Sequence, residues 1–118
     1  MLNSLRHAAR GMATLVATQS NARIHLAVTS GVALLGLVLG LPPRDWCWII
    51  VAVALVWTAE ALNTAVEILG DAAAGGGHHP LVGRAKDVAA AGVLLAAMGA
   101  ALIGVIILLP QVVENVRR

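Results

Sequence analysis

Phenylalanine and tyrosine are absent from this 118-residue chain, and charge is scarce: Asp, Glu, Lys and Arg together make up 12% of it, against roughly 25% in an ordinary soluble domain. So little charge cannot clothe a water-facing surface when 59% of the residues are hydrophobic. Hydrocarbon must therefore be part of the solvent, and the mean hydropathy of +0.87 agrees. The apolar residues are mostly Ala, Leu, Val and Gly, which suit close helix packing in a bilayer better than an aromatic globular core. With one cysteine there is no internal disulfide, and Cys47 reads as a small buried hydrophobe. The net charge of +2 comes without a basic stripe, so nothing speaks for a nucleic-acid partner. No apolar stretch of useful length precedes Arg23, and a cleaved signal peptide is not expected.

What is present divides into four helical segments and a loop. Residues 4 to 19 mix Arg6, His7 and Arg10 with Leu5, Met12, Leu15 and Val16 at near-helical spacing, as expected of an amphipathic surface helix. The first span is expected over 24 to 41, carries His25 near one end, and stops at Pro42 and Pro43. A second span over 46 to 69 begins with the interfacial aromatics Trp46 and Trp48. Residues 70 to 87, with three consecutive glycines and Pro80, are expected to form a loop or a frayed helix end. An uncharged third span over 88 to 109 follows, closed by Pro110 and a polar tail. The fold class is all-α, one membrane domain covering 1 to 118.

Arg6, Arg10, Arg23, Arg84 and Lys86 fall on one side of this topology, and Arg44, Arg117 and Arg118 on the other. The positive-inside rule then puts the amino terminus and the 70 to 87 loop in the cytoplasm. Three helices enclose no polar cavity easily, and unpaired polar groups in hydrocarbon cost several kcal/mol. A homo-oligomer is expected.

The second span carries the chemistry. Glu60, Asn63, Glu67 and Asp71 are spaced three, four and four apart, which brings all four onto one helical face. Ionisable residues inside spans are costly to insert and are functional by default, although a lone carboxylate can also serve assembly. Glu67 and Asp71, one turn apart, repel unless a cation or a lysine shares them, and Asn63 can both donate and accept. Across the loop, Arg84, Lys86 and Asp87 supply counter-charges, with Asp87 also a candidate N-cap for the third span. Carboxylate oxygens suit magnesium, Lys and Arg can neutralise a transferring phosphoryl group, and a further carboxylate can take a proton from an alcohol. Phosphoryl transfer at the membrane surface fits this set. The run GGGHHP lacks the spacing of a P-loop, and His78 and His79 without a third ligand make no zinc site.

The stretches EALNTAVEILGD (60 to 71) and GRAKDVAAAGVLLAA (83 to 97) resemble the small integral-membrane lipid kinases of bacteria, the diacylglycerol kinase family that includes undecaprenol kinases. The resemblance covers nearly the whole chain. It implies a homotrimer in the bacterial inner membrane, with composite sites at subunit interfaces that face the cytoplasm and transfer the γ-phosphate of ATP, with Mg2+, to a lipid alcohol. On the matching positions it implies Glu60 as catalytic base, Asn63 as active-site amide and Glu67 as metal ligand. Asp71, Lys86 and Asp87 become nucleotide-side residues, Lys86 near the phosphates, and Arg10 and Gln19 join them as nucleotide contacts.

One departure bears on the metal. The family usually has glutamate where this chain has Gln19, four residues before Arg23, and that side chain helps hold the ion. Gln19 offers a neutral carbonyl oxygen, a weaker magnesium ligand, and Asp71 could supply part of the missing charge. The alternatives are a non-catalytic membrane oligomer that keeps the fold, or a proton pathway built on aligned carboxylates. RIHLAV at 23 to 28 leans toward the undecaprenol kinases, while GRAKD is shared with the diacylglycerol kinases, so the lipid stays open between the two.

Overall fold

A computed structural model describes all 118 residues, and every regular element is helical: α1 (Leu2–Thr18), α2 (Ser20–Leu39), α3 (Pro43–Ala74) and α4 (Pro80–Arg117). The punctuation is chemical. Gly40 ends α2 in the left-handed conformation (φ 65°), and Pro43 opens α3 at a position where its missing N–H costs nothing. Gly75 and Gly76, both at positive φ, end α3, and Pro80 opens α4. Between α1 and α2 only Gln19 departs from helical geometry (φ −108°, ψ 119°). Arg23 reaches back across that joint, its Nε donating to the Val16 carbonyl at 3.1 Å and a terminal nitrogen to Ala17 at 2.9 Å. These are carbonyls that the end of α1 leaves free.

Helices α2, α3 and α4 are each long and apolar enough to cross a membrane. Only 10 of the 118 residues are buried, among them Ala22, Ile49, Ala52, Val56 and Ala96. A single copy thus has no self-sufficient core, and side chains such as Leu37, Ile50 and Leu95 face outward. Lipid or further copies must cover them. The principal packing is between α3 and α4, with α2 laid more loosely against both. Leu15 is the one buried residue of α1.

Four local expectations change. The loop expected over 70 to 87 shrinks to 75 to 79, because the glycines confine the break and Pro80 restarts the helix. At 1.5 Å per residue α3 and α4 are about 48 and 57 Å long, well beyond a hydrocarbon core of about 30 Å, so their polar turns extend past it without unwinding. Asp87 consequently caps nothing: the N-cap is His79, and Asp87 lies exposed two turns into α4. Pro110 does not end the helix, which runs on to Arg117; the proline leaves the Ile106 carbonyl without its helical donor, a defect that membrane helices tolerate. Cys47 is exposed rather than buried, since α3 turns that face away from its neighbours.

Candidate functional site

Helix α3 carries two polar clusters on its one polar face, at different depths. The deeper begins with Glu60, which is 1% exposed and the largest fully buried side chain of the molecule. Its Oε2 accepts no hydrogen bond, and neither the Asn63 Oδ1 nor the Thr64 hydroxyl, both nearby on α3, finds a partner. Nε2 of His25 on α2 stands 3.6 Å from that carboxylate oxygen. One turn farther along α2 and one turn back along α3, the Trp57 Nε1–H donates to the Thr29 hydroxyl at 3.1 Å. The pairs 25 with 60 and 29 with 57 run antiparallel, so the polar contacts set the register of α2 on α3.

His25 also borders two openings. One is a cavity of ≈ 600 Å³ between α2, α3 and α4, whose lining is hydrophobic at 14 of 17 residues and runs from Ile24 and His25 to Val112. The other, ≈ 270 Å³, is bounded by Asn21, His25 and Asn63 and by Ala90, Val93 and Leu94 of α4. Glu60 lies behind His25 and lines neither.

The second cluster lies two turns on, about 10 Å along α3. The Lys86 ammonium on α4 sits 3.1 Å from Glu67 Oε2 and 2.5 Å from Asp71 Oδ1. Gly70 makes this reach possible: a Cβ there would stand 2.9 Å from Val82 Cγ1 and 3.1 Å from Lys86 Cε. The cluster is open to its surroundings, with Glu67 and Asp71 at 41% and 74% exposure.

Of the residues singled out in the sequence, Glu60 and Asn63 thus share a buried region, and Glu67, Asp71 and Lys86 converge. Gln19 donates to the Thr18 hydroxyl at 3.2 Å and takes part in no bond or ion pair with the Glu67 group. Arg10, Arg84 and Asp87 are exposed, as are His78 and His79 in the short loop. Sequence reading gave no role at the site to His25, Gly70 or Arg23. His25 was legible only as a polar residue in an otherwise apolar span, and Gly70 as a glycine one residue before Asp71.

No group of three or more acidic or histidine side chains assembles within one chain. Two carboxylates converging on one cation nevertheless fit magnesium, which is commonly held by one or two carboxylates together with substrate phosphates and waters.

A family model described as "Prokaryotic diacylglycerol kinase" matches residues 6–108. The undecaprenol kinase of Bacillus subtilis (strain 168) is 34% identical over 108 residues, covering 92% of this chain and 87% of that protein. The diacylglycerol kinase of Synechocystis sp. is 37% identical over 114 residues, covering 97% of this chain but 65% of that longer protein. No solved structure matches the chain.

Proposed function

The chain belongs to the prokaryotic diacylglycerol kinase family, and from that premise we propose that it transfers the γ-phosphate of ATP to the hydroxyl of a membrane lipid alcohol, diacylglycerol or undecaprenol. One observation carries the reading: a buried carboxylate without a hydrogen-bond donor, Glu60, stands behind His25, which lines an apolar cavity of ≈ 600 Å³, on the same helical face as a Lys–carboxylate cluster. A lipid presents an apolar chain joined to a hydroxyl, and this arrangement offers an apolar cavity joined to a proton acceptor.

Glu60 accepts the proton of the lipid hydroxyl, as a carboxylate that no other hydrogen-bond donor occupies. Asn63 orients the reacting oxygens. Lys86, which balances Glu67 and Asp71 in the free chain, meets the phosphates of the nucleotide. Glu67, with Asp71 and the Gln19 carbonyl, would hold a magnesium ion, which would screen phosphate charge. Arg10 and Asp87 complete the nucleotide side. These last three contributions require Gln19, Arg10 and Asp87 to approach a Glu67 group that they do not touch within one chain. A neighbouring copy would bring them there, and we assign the working unit to the homotrimer that the family resemblance implies, in the inner membrane, its site open to the cytoplasm, with α1 lying at the interface.

The decisive assay follows phosphate from labelled ATP, with magnesium, into diacylglycerol or undecaprenol in separate mixed micelles. Product from one lipid establishes the kinase and selects its substrate. No product from folded, oligomeric protein with either lipid rejects the reading in favour of a non-catalytic member of the family.

A further inference from the structure

Glu60 faces a difficulty that the assignment as proton acceptor does not resolve. It is 1% exposed and lines neither cavity, so a hydroxyl bound in either of them does not reach it directly. The side chain between them is His25. Its Nε2 stands 3.6 Å from Glu60 Oε2, its ring keeps 18% exposure, and it borders both openings. We propose that His25 is a catalytic residue, carrying the proton of the lipid hydroxyl from the cavity to the buried Glu60.

The chemistry of imidazole makes the placement meaningful. A neutral ring has one N–H and one acceptor nitrogen, and a carboxylate beside one nitrogen holds the proton there. With Nε2–H turned toward Glu60, Nδ1 is left as the acceptor. The step then balances as follows. The hydroxyl O–H bond breaks and its proton goes to Nδ1, while the alcohol oxygen forms a bond to the γ-phosphorus and the bond from that phosphorus to the leaving diphosphate oxygen breaks. The Nε2 proton passes to Glu60 Oε2, leaving a neutral imidazole of the opposite tautomer beside a neutral carboxylic acid. No net charge has to remain in the apolar interior, where an isolated ion is costly. The separation of 3.6 Å closes by a few tenths of an ångström to a hydrogen bond, the usual tightening as a site fills.

The surroundings isolate this pair. From α4 the neighbouring lining residues are Ala90, Val93, Leu94 and Ala97, none of them titratable. On α2, Arg23 is committed to the carbonyls of Val16 and Ala17, and on α3 the next carboxylate, Glu67, is tied to Lys86. The Trp57–Thr29 hydrogen bond keeps α2 and α3 in the register that sets His25 against Glu60.

The inference rests on the lipid-kinase reading, and the test separates the two. In mixed micelles with magnesium and ATP, wild type, Glu60→Gln, His25→Ala and His25→Gln are compared for kcat and for the KM of ATP and of lipid. His25→Ala lowers kcat by about 10²-fold, the usual scale of a lost acid–base group, with the KM of ATP unchanged. His25→Gln keeps an N–H for Glu60 but cannot relay a proton, and it falls as far; a glutamine variant close to wild type reduces His25 to a structural donor and overturns the relay. Wild type that phosphorylates neither lipid overturns the parent reading and the relay with it.

A second measurement needs no nucleotide and no variant that might misfold at position 25. Nitrogen NMR of the wild-type His25 ring in detergent shows the Nε2–H tautomer, and that preference is lost in Glu60→Gln. A wild-type Nδ1–H tautomer overturns the proposal.

Discussion

The two polar clusters of α3 stand about 10 Å apart on one helix face, yet they meet their electrostatic needs in opposite ways. At Glu67 and Asp71 the carboxylates are open to water and share a lysine that reaches across from α4. At Glu60 water is excluded, no lysine or arginine pairs with the carboxylate, and His25 stands where the outer cluster has a lysine. An exposed cluster can exchange its lysine for a metal ion and phosphates at little desolvation cost, whereas a buried one can afford only transfers that leave no net charge behind. In the proposed kinase, depth separates nucleotide handling from proton handling, although the carboxylates of both clusters come from the same short stretch of sequence.

The comparison breaks most sharply at the carboxylates themselves. Glu67→Gln is expected to abolish metal-dependent turnover and leave the oligomer intact, as read by a magnesium titration of the lipid phosphorylation assay beside size-exclusion chromatography. Loss of assembly instead would make Glu67 structural. Glu60→Gln should lower kcat by about 10² to 10⁴-fold without changing the magnesium requirement, so that the two clusters fail in different observables. If both variants change the magnesium requirement alike, the division of labour is wrong.

A smaller effect is expected at Gly70. Gly70→Ala puts a methyl 2.9 Å from Val82 Cγ1 and 3.1 Å from Lys86 Cε, so the helices must part slightly and Lys86 withdraws from Glu67. Displacements of this size cost up to about 10²-fold in rate. The loss should be concentrated in the KM of ATP, and kcat with saturating nucleotide should recover most of its value; an unchanged KM would mean that Lys86 does not meet the nucleotide.

Smaller again is Trp57→Phe, which removes the donor to Thr29 while keeping an aromatic ring. A net cost of about 1 kcal/mol is expected in detergent unfolding, together with a modest fall in kcat as the register of His25 on Glu60 loosens. At the far end of the scale, Arg118→Ala breaks the exposed pair with Glu114, 2.8 Å apart. Such pairs contribute little, and neither stability nor turnover should move measurably.

The sequence made the helical spans legible because hydrocarbon solvent leaves few options: long uncharged runs become helices, and glycine or proline must punctuate them. It also made legible the shared face of Glu60, Asn63, Glu67 and Asp71, since helical periodicity alone puts them there. Lys86 could be set against the acidic pair by charge. The extent of the 70 to 87 break was misread because polar composition and helix breaking were treated together, when α3 and α4 remain helical past the hydrocarbon core and only 75 to 79 departs.

What composition and periodicity determined, then, was the solvent, the helices and the shared polar face of α3. The tertiary structure alone decided that His25, thirty-five positions before Glu60, stands against it, and that Gly70 opens the path by which Lys86 reaches Glu67. The physical reason is that periodicity fixes neighbours within a helix, whereas contacts between helices depend on register and close approach, which are set by small residues and a few buried polar pairs far apart in the chain.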